Sequence, residues 1–301
     1  MNRTALLYPL IFLMVAFWSG NYIAGKIALR EFSPLLLAGL RIGFAGVMMA
    51  GVYVAHALVL TPGVETSLDT ARTSACATVR LLLLGLLGVT LNQVMFIIGL
   101  SRTSVAHAAI LIGLTPIQVL VIACLRGQER ITARKAAGMA TALAGVAVLK
   151  LFEPATGAGA TWIGDFVVLL AGLCFALFTV FGKEVTAQYS TVTMNTYAYV
   201  GGAVALLPLT LWEATRQPLA HVSAGAWLAA IYMALFPSVI AYLIYYHALA
   251  HMTASRVAAF SYLQPVFASI MGVAILGERL GAPVIAGGVV ILCGVYQAER
   301  G

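Results

Sequence analysis

The chain has 301 residues, of which 62% are hydrophobic and only 9% are charged, and its net charge is +7 at pH 7. About a quarter of the residues in an average soluble domain are charged, so this composition excludes an ordinary soluble enzyme, a disordered chain and a nucleic-acid binder. Lipid is the solvent that suits so apolar a chain. A membrane-spanning helix needs roughly 20 apolar residues, which leaves room for about ten helices with short connections.

Ten apolar runs between short polar breaks predict an all-helical integral membrane protein with ten transmembrane helices. The runs cover residues 6–26, 34–60, 79–101, 104–125, 135–152, 162–183, 191–212, 224–248, 254–275 and 282–298. They lack the alternating polarity that a membrane β-barrel needs. The first run has no small-residue cleavage site where its core ends, and Trp18 lies there instead, so we interpret it as a retained helix.

The basic and acidic residues predict how the chain is oriented in the membrane and whether transport is coupled to protons or Na⁺. With the N-terminus inside, ten Lys and Arg residues fall on the cytoplasmic side and six outside, which favours an inner (plasma) membrane protein with both termini in the cytoplasm. No acidic residue is placed at mid-bilayer to relay protons or bind Na⁺. This favours facilitated export, exchange or coupling through a histidine. His107 is the candidate for that histidine; the alternative is that it lies at the membrane interface with its hydrogen bonds satisfied.

The cysteines form no metal-binding pattern, so no metal or cofactor is predicted.

The two halves of the sequence repeat. Residues 100–146 align without a gap on residues 249–295, at an offset of 149, with 12 of 47 positions identical. The pairs that chance explains least well are Pro116/Pro265, Glu129/Glu278 and Arg130/Arg279. Earlier in the chain, Gly25-Lys26 aligns on Gly182-Lys183 at an offset of 157.

This repetition predicts two five-helix units, residues 1–152 and 160–298. Because five is odd, the second unit must enter the membrane in the opposite orientation. Many transporters have such inverted repeats, with the substrate site at the interface between them. Two near-equivalent halves can exchange conformations, which gives outward-open and inward-open states of similar energy.

The motifs that carry this pattern resemble the EamA-type branch of the drug/metabolite transporter superfamily. They are FWSGNYIAGKIAL, SPLLLAGLRIGFAG, LTPIQVLVIACLRGQERIT and LQPVFASIMGVAILGERL. The resemblance covers nearly the whole chain and implies ten helices, two inverted repeats and export or exchange of small metabolites. The best-understood relatives are amino-acid exporters. The chain departs from the family in its first half, where Arg-Gly-Gln-Glu-Arg replaces Leu-Gly-Glu-Arg.

Polar and aromatic side chains inside the runs are candidate residues of a substrate cavity. The candidates are Trp18, Asn21, Arg41, Asn92, Thr115, Gln118, Tyr242, Tyr262 and Gln264. An amide near mid-bilayer must face the protein interior or a wet cavity, and hydrogen bonding between helices is the alternative for Asn21 and Asn92. Arg41 either holds a substrate carboxylate or has a structural role, in which it snorkels outward or binds a helix C-terminus.

Other residues have competing interpretations. Pro116 and Pro265 are predicted hinges that line the cavity, with a purely structural kink as the alternative. Tyr245 and Tyr246 fit an aromatic belt at the membrane interface. Phe175 and Phe178, which correspond to Trp18 and Asn21 in the second half, are expected to pack rather than bind. The repeated Glu-Arg pairs are expected to cap helices and form ion pairs, with gating as the alternative.

The sequence therefore predicts a carrier that exports small polar metabolites, such as amino acids, by alternating access. Efflux of toxic amphipathic compounds is the alternative, and an intramembrane enzyme is more distant because neither His-Glu-x-x-His nor a mid-span Asp occurs. A cavity with Arg41 and no acidic residue disfavours a cationic drug. The fifth and tenth runs are expected to be peripheral. The substrate, and the choice between monomer and homodimer, stay open.

Overall fold

The computed structural model describes residues 3–60, 75–103, 108, 111–151, 161–264, 266–267 and 282–300, and the described residues include no β-strand. Its helices, numbered here in chain order, are α1 (Arg3–Ala28), α2 (Pro34–Leu60), α3 (Ala75–Gly85), α4 (Asn92–Arg102), α5 (Thr115–Leu125), α6 (Ala133–Leu151), α7 (Trp162–Val185), α8 (Thr191–Arg216), α9 (Ala224–Ala234), α10 (Ala241–His251), α11 (Ala254–Ala259) and α12 (Ala282–Glu299). Short 3₁₀ turns follow α8 (Leu219–His221) and α11 (Phe260–Leu263).

Five helical segments of the described chain are long and apolar enough to cross a membrane. They are Leu6–Ala28, Pro34–Leu58, Thr78–Arg102, Trp162–Val185 and Ala224–His251, and shorter apolar helices lie at Thr115–Leu125 and Ile285–Ala298. Large apolar side chains face outward from the bundle; Leu58 is 74% exposed and Leu125 is 83% exposed. A helical bundle that satisfies its backbone internally and presents apolar side chains outward is suited to lipid.

Two of these segments contain the same interruption. A six-residue π-helical turn, Leu86–Leu91, joins α3 to α4, and a second one, Leu235–Ile240, joins α9 to α10. Such turns are rare and often lie at functional sites. From the end of α3 to the end of α4, the bounds of the elements in the first segment differ from those in the second by 149 residues, which is the offset of the sequence alignment. The same offset of 149 residues therefore aligns the helical structure of the two segments as well as their sequences.

The helices around the centre of the molecule form two packed groups. α7 packs against α4 and α5, and we call these three helices the α7 group. α1 packs against α9 and α10, and we call these the α1 group. α2 packs alongside α8, and α6 alongside α12. A Cβ atom on Gly138 of α6 would lie 2.4 Å from the backbone nitrogen of Ala298 in α12, so glycine lets these two helices come into backbone contact.

Hydrogen bonds between helix ends define the two ends of the bundle. At one end α1 and α4 finish and α7 begins; there the Thr161 hydroxyl donates to the Arg102 carbonyl at 2.7 Å. At the opposite end α7 and α10 finish and α11 begins. We call these the Lys26 end and the Lys183 end, after the lysines that lie there.

Candidate substrate cavity

A cavity of about 90 Å³, measured as the space open to the centres of water molecules, lies between the α7 group and the α1 group. A site for one water needs at least about 10–15 Å³ by this kind of measure, so the cavity has room for several waters or a small ligand. Its wall is formed by Trp18, Asn21, Tyr22, Arg41, Asn92, Gln93, Phe96, Ile112, Thr115, Phe175, Tyr242, Ser261 and Gln264. Among these described lining residues, none comes from α6 or α12.

Arg41 provides positive charge in the cavity wall. Its side chain is only 4% exposed, and its Nε donates to the Ser238 hydroxyl oxygen at 2.9 Å. That hydroxyl donates in turn to the Met233 carbonyl at 2.8 Å, which orients its lone pairs towards the guanidinium. No carboxylate of the described residues forms an ion pair with Arg41. One edge of the guanidinium is therefore fixed by protein, while its charge is left without a counter-ion from the described chain.

Three lining residues carry buried oxygen atoms that have no hydrogen-bond partner among the described residues. They are Asn21 Oδ1, Gln93 Oε1 and Thr115 Oγ1. The amide groups of two lining residues are held from outside the cavity: Asn92 Nδ2 donates to the Ala171 carbonyl at 2.8 Å, and Gln93 Nε2 donates to the Tyr199 hydroxyl at 2.8 Å. A buried acceptor without a partner costs about 1–3 kcal/mol. The cavity therefore offers acceptors that a ligand or water can satisfy.

Aromatic rings form the part of the wall nearest the Lys183 end. Trp18 of α1 meets Phe175 of α7 edge-to-face, with ring centroids 5.8 Å apart, and both contact Tyr242 of α10 at 6.1 Å. The indole nitrogen of Trp18 donates to the Pro237 carbonyl, inside the π turn, at 3.0 Å. Towards the Lys26 end, Tyr22 meets Phe96 at 5.6 Å. The cavity thus combines polar groups with large apolar surfaces.

Comparison with known proteins identifies the kind of site this is. The family model described as EamA-like transporter family matches residues 6–151 and again residues 162–298. The chain belongs to the EamA-like transporter family. It is accordingly a multi-pass membrane transporter within the drug/metabolite transporter superfamily.

Two relatives and one solved structure illustrate the likeness. An uncharacterized transporter of Archaeoglobus fulgidus is 29% identical over 98% of this chain and 96% of its own. A probable terminal-alkyne amino-acid exporter of Streptantibioticus cattleyicolor is 26% identical over 87% of each chain. A solved structure titled only as the crystal structure of a protein has a TM-score of 0.78 at 17% identity, over 98% of this chain and 97% of that one. This last likeness concerns the fold alone.

The structure brings seven of the nine predicted cavity residues to one wall. They are Trp18, Asn21, Arg41, Asn92, Thr115, Tyr242 and Gln264. The other two, Gln118 and Tyr262, are not among the lining residues; Gln118 Oε1 lies near Gly172 of α7, and the Tyr262 hydroxyl is buried without a partner among the described residues. The role of all nine in substrate binding stays a prediction.

The predicted hinge at Pro116 lies at a break in the helix. Residues 113–114 form a turn, and Pro116 is the second residue of α5, where its missing N–H leaves no helical bond unmade. Whether this break acts as a hinge stays a prediction. Pro265 lies outside the described residues, and so do His107 and the Glu278-Arg279 pair.

One expectation about the tyrosines is wrong. Tyr245 and Tyr246 are fully buried, so they do not form an aromatic belt at the membrane interface. Tyr245 OH lies 2.6 Å from the Thr179 hydroxyl, and its ring contacts Trp18 at 5.4 Å. The sequence places both tyrosines near a span end, but packing against α1 and α7 determines their burial.

Several lining residues were not singled out from the sequence as cavity residues: Tyr22, Gln93, Phe96, Ile112, Phe175 and Ser261. Gln93 is an amide inside an apolar run, so the rule that selected Asn92 could have found it. Phe175 was expected only to pack, although it corresponds to Trp18 in the repeat. Ile112 and Phe96 carry no polar signal that would separate them from other apolar residues.

At the Lys183 end, a buried ion pair between α6 and the loop after α5 is hydrogen-bonded to the start of α11. Lys135 Nζ lies 2.7 Å from Glu129 Oε2, and the two side chains are 7% and 4% exposed. Glu129 also accepts from the Ser255 backbone N–H at 3.0 Å and from the Ser255 hydroxyl. Burial raises the pKa of the Glu129 carboxyl, but these bonds from Lys135 and Ser255 outweigh burial, so its pKa lies below the usual value.

Proposed function

We propose that this protein exports small polar metabolites, amino acids in particular, by alternating access of the central cavity. The observation that carries the proposal is the cavity wall, in which the described residues provide a guanidinium but no carboxylate paired with it, and oxygen acceptors that none of them satisfies. The proposal includes a bundle of ten transmembrane helices, formed by two inverted five-helix repeats, residues 1–152 and 160–298.

Equivalent features in the two halves support the repeats. The paired π turns are related by the same offset as the sequence alignment. Trp18 and Phe175 occupy corresponding positions, and their rings meet across the cavity at 5.8 Å. Such a contact is expected where a pseudo-two-fold axis passes between two inverted repeats. Transporters with this architecture bind substrate at the interface of the repeats, and the cavity draws residues from both proposed halves.

The cavity chemistry suits a zwitterion. A guanidinium presents a fork of N–H donors that matches a carboxylate, which assigns the substrate carboxylate to Arg41. An ammonium group has three donors and no acceptor, and the oxygens of Asn21, Gln93 and Thr115, which have no partner in the described part of the chain, are acceptors. The aromatic rings provide apolar surface for a side chain. A substrate with a net positive charge would meet Arg41 without a compensating acidic group from the described residues.

The location and orientation of the protein follow from the charge distribution and the function. The proposed site is the cell inner membrane, with both termini in the cytoplasm because Lys and Arg residues are more numerous on that side. Export agrees with the name of the relative described as a probable amino-acid exporter. A C-terminal alkaline phosphatase fusion should be inactive; strong phosphatase activity would contradict this orientation.

Counterflow in proteoliposomes tests the substrate class. Vesicles that contain the purified protein and an unlabelled neutral amino acid should accumulate the same labelled amino acid, whereas labelled lysine or arginine should not accumulate.

Asn21→Leu and Asn92→Leu should each raise KM for that amino acid about five- to a hundredfold, since a lost buried hydrogen bond costs about 1–3 kcal/mol. Membrane insertion should be unchanged.

A buried amide outside the cavity provides the matched control. Asn195 of α8 is fully buried, and its Oδ1 also has no partner among the described residues. Asn195→Leu should leave KM unchanged. If the Asn195 variant loses transport as strongly as the Asn21 and Asn92 variants, or if those two keep normal kinetics, the site lies elsewhere. Loss of folded protein in the Asn92 variant would instead mean that the bond from Asn92 to the Ala171 carbonyl of α7 is needed for packing.

Efflux of toxic amphipathic compounds is a second candidate, which the aromatic part of the wall favours. Trp18, Phe175 and Tyr242 would stack on a planar hydrophobic substrate. The same vesicles separate the two candidates. Accumulation of a labelled amphipathic dye without accumulation of any amino acid would favour efflux and refute the amino-acid proposal.

A further inference from the structure

Lys26 and Lys183, which correspond to each other in the sequence repeat, make the same contacts in the structure. Lys26 Nζ donates to the Leu100 carbonyl at 2.7 Å and to the Thr103 carbonyl at 3.0 Å. Lys183 Nζ donates to the Leu249 carbonyl and, at 2.9 Å, to the Met252 carbonyl. The four carbonyl groups correspond in pairs at the offset of 149 residues. Each lysine therefore binds the carboxyl end of the helix that follows a π turn.

Lysine is suited to this position for two physical reasons. The last carbonyl groups of a helix have no intrahelical partner, and the helix dipole places negative potential there, which favours a cation. The glycine before each lysine allows close approach. A Cβ atom on Gly25 would lie 3.0 Å from a Leu100 methyl, and one on Gly182 would lie 2.4 Å from the Tyr246 hydroxyl.

Both lysines connect the α1 group to the α7 group, and they do so at opposite ends of the cavity. Lys26 lies on α1 and binds the end of α4, a member of the α7 group. Lys183 lies on α7 and binds the end of α10, a member of the α1 group. These bonds cross the interface that contains the cavity, so any motion that separates the two groups at one end must break the bonds of the lysine at that end.

We propose that Lys26 and Lys183 are paired positioning residues that hold the two ends of the cavity closed, and that transport breaks their bonds one end at a time. The inference rests on the proposed alternating access but is independent of the substrate. Loss of Lys26 should open the cavity at the Lys26 end, and loss of Lys183 should open it at the Lys183 end.

The two ends of the cavity differ in the polar contacts that hold the helices together there. The Lys183 end also has Glu129 bound to Lys135 and Ser255. At the offset of 149, Lys135 and Ser255 correspond to Val284 and Ala106, so the sequence does not repeat these polar side chains. Removing Lys183 should therefore open its end less than removing Lys26 opens the other.

Side-specific labelling of one cysteine tests the proposal. The four native cysteines are replaced by alanine, and Ser261→Cys, in the cavity wall, is the reporter. A membrane-impermeant maleimide is applied to right-side-out and to inside-out vesicles. Lys26→Met should raise the labelling rate at least tenfold from one side, and Lys183→Met should raise it from the opposite side. A tenfold change corresponds to about 1.4 kcal/mol in the equilibrium between closed and open ends.

Arg30→Met and Arg134→Met are matched controls, because each removes an exposed cation and should leave labelling unchanged. If a methionine variant is missing from the membrane, Lys26→Gln or Lys183→Gln replaces it, since glutamine keeps a polar side chain. Three results would overturn the proposal: faster labelling from the same side in both variants, rates equal to those of the controls, or failure of both the methionine and glutamine variants to insert. Failure of amino-acid counterflow alone would leave the labelling result intact.

Discussion

Replacing Glu129 by glutamine should destabilise the protein much more than the same change at Glu184. Both carboxylates lie at the Lys183 end and bind basic side chains, but their surroundings differ. The Glu129–Lys135 pair is 4% and 7% exposed. Glu184 is 29% exposed, and its partners Arg80 and Arg126 are 45% and 50% exposed.

The expected magnitudes follow from this difference in exposure. Removing one partner of a buried ion pair leaves the other charge uncompensated and costs about 3–5 kcal/mol. Exposed pairs contribute about 0–1 kcal/mol. For a chain of a few hundred residues, 1 kcal/mol shifts Tm by roughly 2–4 °C. Glu129→Gln should therefore lower Tm by about 6–20 °C, whereas Glu184→Gln, which loses two exposed pairs, should lower it by no more than about 8 °C.

The pH dependence gives a second measure of the same contact. Because the pKa of Glu129 is lowered in the folded protein, its contribution to stability is present above the unfolded pKa of about 4.3 and is lost as pH falls through the folded pKa. The difference in Tm between the wild type and Glu129→Gln should therefore be constant near pH 7 and shrink below about pH 4.

Thermal unfolding of the purified protein, in one detergent and at one lipid content, measures both effects. The double variant Glu129→Gln/Lys135→Met should recover part of the lost stability, because it removes the uncompensated lysine as well. If Glu129→Gln costs no more than Glu184→Gln, the buried pair is not a principal contact at this end. A Tm difference that does not change with pH would assign the effect to packing instead of charge.

Two further pairs of variants test the packing of the bundle. Gly88→Ala would place Cβ 1.9 Å from an aromatic ring of α7 and should cost about 1–3 kcal/mol. Gly51→Ala should cost nothing, because no atom of the described residues lies within 4 Å of the added Cβ; equal Tm values for the two would refute this packing. Tyr245→Phe loses the bond to Thr179 and should cost about 0.5–1.5 kcal/mol in a denaturant titration. Tyr262→Phe should be neutral, because its hydroxyl has no partner among the described residues, and a larger cost there than at Tyr245 would contradict the structure.

Part of the cavity was predictable because polar groups inside an apolar run are costly to leave in lipid. Asn21, Asn92 and Gln264 are such groups, and all three lie in the cavity wall. Gln118 satisfies the same rule and lies elsewhere, since a helix run does not specify which neighbour each face will meet. Phe175 shows the converse: a ring inside an apolar run carries no signal that separates packing from cavity lining.

The sequence by itself determined that this is a helical membrane protein with repeated motifs that resemble those of a transporter family, because apolar run length and spaced motifs are local properties of the chain. Only the tertiary structure decided which side chains share a cavity. It placed Arg41 beside Ser238, 197 positions away, and it directed Lys26 and Lys183 to the ends of α4 and α10. These contacts depend on how helices that are distant in sequence pack, and apolar periodicity does not encode that arrangement.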